Sequence, residues 1–111
     1  MHRVAIERND RATVIVAAGE LDAFAAPDLA SAFEDASGDK RVVADLARVS
    51  FMDSTALGLI VRESRELAEA GARVRIVLPT GSARRIFEIT SLDGVLPVAE
   101  TRSSALAELD G

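Results

Sequence analysis

The chain contains no cysteine, no tryptophan and no tyrosine, and it has a single histidine. Without cysteine there is no disulfide, no thiol nucleophile and no thiolate metal ligand, a composition that suits a reducing cytoplasm. Four phenylalanines supply all the aromatic surface, too little for the stacking platforms on which proteins hold unpaired bases. Positive charge is also scarce: 13 Lys and Arg stand against 18 Asp and Glu, a formal charge of −5. Nucleic-acid phosphates and anionic membrane surfaces are bound through a basic footprint, so neither partner is expected, and a protein partner or small ligand is. No stretch approaches the roughly 20 apolar residues of a membrane span, and the opening MHRVAIERND lacks an apolar core of signal-peptide length. These absences together predict a soluble, cytoplasmic protein.

Hydrophobic residues make up 49% of the 111, enough for one domain over 1–111 that folds around aliphatic side chains and Ala without metal or disulfide. Val4 and Ile6 alternate with polar neighbours, Asn9-Asp10 interrupts, and ATVIVAAG resumes the pattern. Residues 3–18 therefore read as a β-hairpin, turned by residues that tolerate positive φ. Residues 19–22 are read as the loop leaving it. Pro27 and Asp28 suit a first helical turn. Leu29, Ala32, Phe33 and Ala36 then share one helical face, and Gly38 closes the helix. In RVVADLARVSFM the residues Val42, Val43, Ala44 and Leu46 are too continuous for a half-exposed strand and predict a central one buried on both faces.

From Ser54 a second helix is expected, with Leu57, Ile60, Val61, Ser64, Leu67 and Ala68 inward. Arg62, Glu63, Arg65, Glu66 and Glu69 then face water, and Gly71 ends the helix. Val74, Ile76 and Leu78 mark a further strand. Thr80 caps a short helix with Ala83, Ile86, Phe87 and Thr90 on one face. Residues 95–98 fit only an edge strand because of their proline, and Thr101 caps a terminal helix burying Ala105 and Leu109. The order predicts an α/β fold: a mixed, mostly parallel central sheet of four to five strands, an N-terminal hairpin and about four helices. In such sheets ligands meet the carboxyl ends of the strands, where the 19–22 loop and the 53–55 junction both lie if the second and third strands are neighbours.

That junction is chemically the most informative stretch, because the apolar run ending at Met52 meets Asp53-Ser54-Thr55. A nucleophilic Ser54 needs a base and an orienting group. The one histidine, His2, adjoins a terminus expected to be mobile, and the G-x-S-x-G elbow is absent. A small hydrolase using Asp53 or Ser54 is thus a remote alternative. The simplest structural role for Ser54 is helix N-cap, accepting the N–H of Ala56 or Leu57. The same position also accepts a phosphate well, since helix N-termini present free N–H groups and the positive end of the dipole. Elsewhere, Arg84-Arg85 reads as a solvated helix face more than an anion site, and Asp45 as a structural acceptor at a strand end. Arg62–Glu66 and Arg65–Glu69 are spaced as i,i+4 pairs. With no G-x-x-x-x-G-K-[ST] loop, any ATP chemistry must come from a partner.

The segments GELDAFAAPDL, FMDSTALGLIV and RRIFEITSLDGVLPV, in that order and spacing, resemble the STAS domains of bacterial anti-sigma factor antagonists over nearly the whole chain. The resemblance implies a small, non-enzymatic α/β protein that binds an anti-sigma factor, commonly a serine kinase, and so frees a sigma factor. It further implies that the kinase phosphorylates the serine after the motif Asp, here Ser54, and that a metal-dependent serine phosphatase reverses this. Asp22, Asp53, Ser54, Thr55 and Ala56 become the partner-binding residues, with no cofactor, metal ligand or catalytic residue. One departure stands out. Family members commonly read D-S-[ST]-G-L-G, and Ala56 replaces the first Gly, which is expected to put a methyl where a kinase approaches. A non-switching scaffold or transporter-associated subunit of the same fold is the alternative this departure favours.

Overall fold

A computed structural model describes residues 1–78 and 98–110 of the chain. Strands β1 (His2–Arg8) and β2 (Thr13–Leu21) form the expected hairpin. Asn9 organises its turn through the side chain, Oδ1 accepting the N–H groups of Arg11 at 2.8 Å and Ala12 at 3.0 Å. Helix α1 (Ala26–Asp35) leads to β3 (Arg41–Met52), and α2 (Ser54–Glu69) leads to β4 (Arg73–Val77). Beyond the undescribed stretch come β5 (Val98–Ala99) and α3 (Arg102–Asp110). The helix expected from Thr80, with Arg84-Arg85, lies outside the described residues. The sheet runs β1-β2-β3-β4-β5, antiparallel at β1–β2 and parallel elsewhere, so the chain folds as the α/β domain its periodicities predict.

The two sheet faces carry separate cores. Ile15, Ala17 and Leu21 of β2 join Val42, Ala44 and Leu46 of β3 under α1 and α2, whose Leu29, Phe33, Leu57, Ile60 and Leu67 are buried against them. Alternate residues Val14, Val43 and Val77 face the other way, onto Ala105 and Leu109 of α3. This side-to-side alternation is why residues 42–46 read as continuously apolar. Thr101 caps α3 as predicted, its Oγ1 accepting the Ser104 N–H at 3.0 Å. At the other end of α3, Arg73 donates to the carbonyls of Leu109 (2.8 Å) and Glu108 (3.0 Å), acceptors that a helix terminus leaves unpaired. Asp45, 6% exposed, accepts the Ala47 N–H and the Arg102 Nε, each at about 3 Å, which is the structural role expected of it.

Four local expectations need correction. Residues 19–21 are strand, and the loop starts at Asp22: Gly19 has φ +80, sits at a register shift between β2 and β3, and has no room for a Cβ beside the Met1 carbonyl oxygen. The glycine thus makes a bulge where the sequence suggested an exit from the strand. The buried arc of α2 includes Ala56 and Leu59, while Val61 is half-buried and Ala68 exposed. The same rotation half-buries Glu63, whose carboxyl is held above its usual range by burial and by neighbouring Glu66. His2 is held within β1, its Nε2 2.7 Å from Asp28 Oδ2, rather than lying in a mobile terminus. Finally, the ion pair on α2 is Arg62–Glu63 at 3.8 Å, in place of the i,i+4 pairs, as expected where solvent screening leaves exposed pairs little preference.

Candidate functional site

Strands β2 and β3 are parallel neighbours ending in register, Leu21 opposite Met52. Their exits therefore lie side by side, and the Asp53 N–H donates to the Leu21 carbonyl at 3.0 Å across them. Asp22 turns the first exit: its Oδ1 accepts the N–H of Phe24 at 3.0 Å and of Ala25 at 3.3 Å, a side-chain turn that delivers the chain into α1. Asp53 does the corresponding work on the second. With extended backbone (φ −93, ψ 176) it is the N-cap of α2, its Oδ1 accepting the Ala56 N–H at 3.0 Å and its carbonyl the Leu57 N–H at 3.0 Å.

The cap is thus one residue earlier than the sequence suggested, and this changes what Ser54 is. Ser54 is the first helical residue, exposed, and its hydroxyl, like that of Thr55, has no hydrogen-bond partner among the described residues. Both oxygens are spare while the helix is capped without them. The first-turn N–H groups of Ser54 and Thr55 face the same surface at the positive end of the helix dipole, an environment that stabilises an added anion. His2 bonds Asp28 rather than Ser54.

Ala56 is 0% exposed. Its side chain packs in the core under α2, so the expected methyl in an approaching protein's path is not on the surface, and Ala56 serves the site through its N–H alone. At the two strand exits and along α2 the structure adds three residues that the sequence did not single out. Phe24 and Phe51 are 86% and 52% exposed, the large hydrophobics left uncovered on the two adjoining exits. Gly58 lies one turn along α2 from Ser54, and a Cβ there would meet nothing within 4 Å. Ser54, Leu57, Gly58, Val61 and Arg62 line an open groove of about 490 Å³ along this helix. A glycine inside a helix costs about 1 kcal/mol relative to Ala, and here no internal packing requires it. A signal for Phe24 was available: an aromatic residue set in a loop between Asp22 and Pro27, outside either periodic pattern.

Comparison with known proteins assigns the chain. The STAS domain model matches residues 3–105. The anti-sigma-B factor antagonist of Listeria monocytogenes is 33% identical over 100 residues, covering 86% of this chain and 88% of that protein. The chain belongs to the STAS-domain family of anti-sigma factor antagonists. The Staphylococcus aureus anti-sigma-B factor antagonist is likewise 33% identical, over 74% of this STAS chain and 78% of its own length. Among solved structures, an anti-sigma factor antagonist from Mycobacterium paratuberculosis matches 100% of this chain and 96% of its own with a TM-score of 0.90 at 26% identity. The Bacillus cell fate determinant SpoIIAA in its phosphorylated form matches 96% and 99% with a TM-score of 0.72 at 25% identity. No helix among the described residues of this STAS protein is long and apolar enough to cross a membrane.

Proposed function

We infer that this protein binds an anti-sigma factor of the serine-kinase type through the paired exits of β2 and β3, so releasing a sigma factor, and that phosphorylation of Ser54 turns the binding off. The observation that carries the reading is the division of labour at the junction: Asp53 holds the helix cap, which leaves the Ser54 hydroxyl exposed and, among the described residues, unpaired. Phe24 and Phe51, exposed at the two strand exits, supply apolar anchors, and the groove from Ser54 past Gly58 receives the partner's surface. The partner supplies ATP. Its γ-phosphoryl bond to ADP breaks as the Ser54 Oγ–P bond forms, the hydroxyl proton passing to a base of the kinase, and a serine phosphatase hydrolyses the ester to reset the protein. Support also comes from SpoIIAA, a structural neighbour known in a phosphorylated form.

A phosphate brings a charge of about −1.5 to −2 to a surface whose neighbouring carboxylates are Asp22 and Asp53. The helix N-terminus stabilises that charge within the protein, so the cost falls on the docked partner. A Ser54→Asp variant should keep its stability within about 0.5 kcal/mol and bind the anti-sigma factor at least about 30-fold more weakly, roughly 2 kcal/mol. Calorimetric titration measures both affinities, and equal values would sink the switch and favour the non-switching scaffold. Intact-mass analysis after incubation with ATP and the kinase should show one phosphoryl group on the wild type and none on Ser54→Ala.

A further inference from the structure

The proposal concerns the opposite edge of the sheet from β5. Among the described residues, β1 has a strand on one side only. Which of its backbone groups point outward follows from the hairpin. The Met1 carbonyl accepts from Glu20 and the Asn9 N–H donates to Ala12, so the odd-numbered residues from 1 to 9 turn their backbone toward β2. By the two-residue period, His2, Val4, Ile6 and Arg8 present theirs at the free edge. Side chains divide the same way. Val4 and Ile6 lie against the main core under α1, and His2 and Arg8 reach onto that helix, to Asp28 Oδ2 and the Asp35 carbonyl. Arg3, Ala5 and Glu7 are exposed on the other face, where the Glu7 carboxylate also accepts from Arg102 Nη1 at 2.8 Å.

The strand sequence HRVAIER is self-complementary about Ala5. Two copies paired antiparallel around a two-fold axis at Ala5 set Val4 against Ile6 and His2 against Arg8, using every outward N–H and C=O of the strand. Arg3 stands opposite Glu7 of the other copy, and Ala5 opposite Ala5. These last pairs fall at the non-hydrogen-bonded positions, where the backbones approach most closely, about 4.5 Å between Cα atoms, and side chains interact best. A small residue on the axis and opposite charges beside it are what those positions require. Moving the axis to Val4 or to Ile6 keeps the sheet faces matched but loses this pattern: the first sets Arg3 against Ala5, the second sets Val4 against Arg8 and Ala5 against Glu7. Edge strands are usually protected by charged side chains or proline; the outer face of this one carries Arg3 and Glu7, opposite signs placed to meet their mirror.

We propose that the free edge of β1 pairs with β1 of a second copy of this chain, joining the two sheets into one across a two-fold axis at Ala5. A contact of one short strand is small beside the roughly 1,600 Å² of a standard stable interface, so the dimer is reversible and concentration-dependent. Because β1 runs antiparallel to its mate, the two Ser54 junctions lie at opposite ends of the joined sheet, and both stay open to a partner.

Sedimentation equilibrium on the intact protein, from low to high micromolar concentration, should show mass rising from one chain toward two. Ala5→Lys places two cations on the axis at an exposed position and should weaken dimerisation about tenfold or more, with an unchanged circular dichroism spectrum. The chain has no cysteine, so Ala5→Cys offers a geometric test. Cα atoms this close fit a disulfide, and mild oxidation should cross-link this variant while leaving Glu7→Cys, which lies off the axis, uncross-linked. One chain's mass up to the solubility limit with no Ala5→Cys cross-link overturns the proposal, as does a dimer that Ala5→Lys leaves intact.

Discussion

Where β2, β3 and β4 begin, charged side chains are used up on one another. Arg8 binds Asp39 at 3.2 Å, Asp39 accepts the buried Thr13 hydroxyl at 2.7 Å, Arg11 meets Asp110 at 2.6 Å, and Arg73 holds the end of α3. Where β2 and β3 finish, among the described residues Asp22 and Asp53 accept only backbone N–H groups, two hydroxyls have no partner, and two phenylalanines face solvent. The larger hollow is at the first end, about 760 Å³ between the Asn9–Thr13 turn, Gly38–Arg41 and the tail of α2, against about 490 Å³ beside Ser54. Volume alone thus points away from the end proposed for docking. What marks a surface for a partner is polar and apolar groups that the fold has not already satisfied.

Four substitutions test the contrast. The largest effect on folding should come from Gly19→Ala, which forces an L residue to φ +80 against the Met1 carbonyl. A loss of about 3 kcal/mol in urea unfolding is expected, showing that even the open end rests on one uncompromising backbone position. At the closed end, Asp39→Asn should cost about 1 kcal/mol and leave partner affinity unchanged. The Thr13 hydroxyl, and then Arg8, hold the Asp39 carboxyl below its usual range. Its stabilisation is present above the ordinary carboxylate pKa and is lost as pH falls through the lowered folded value. The acid limb of a stability–pH curve should therefore be shallower in Asp39→Asn.

Glu63→Gln works in the other direction. The folded carboxyl is raised, first by burial and then by Glu66, so the folded state binds the proton more readily and wild-type stability falls as pH rises through that region. The variant should be more stable at neutral pH by a few tenths of a kcal/mol, a gain that disappears on acidification. Gly58→Ala should raise stability by up to about 1 kcal/mol. Its informative readout is binding. If the groove receives the partner, affinity should drop several-fold while the fold improves, whereas unchanged affinity would place docking elsewhere.

The fold was legible because periodicity reports burial directly: Val4 and Ile6, Leu29 to Ala36, Val42 to Leu46, and Ala105 with Leu109 all lie where their spacing puts them. What escaped the sequence was a matter of single residues. Asp53 and Ser54 are both good N-caps, and only the point at which β3 stops pairing with β2 decides between them. Gly19 looks the same in a loop as in a bulge. Whether Ala56 faces core or solvent depends on how α2 is rotated, and that rotation is set by the sheet beneath it. Asp22, Asp53 and Ser54 were singled out through motif chemistry, whereas the exposure of Phe24 and Phe51 is a property of the fold, for which the sequence offered at most the odd placement of Phe24 in a loop.

The placement of the cap on Asp53 also has a temporal meaning. Since α2 is fastened by the residue before Ser54, esterifying the Ser54 hydroxyl under the proposed switch removes no contact that the folded chain depends on. The two states then share one backbone and interconvert without refolding. The lifetime of each is set by the enzymes that write and erase the phosphate, and the protein stores its record in a covalent bond, indifferent to its own thermal motion.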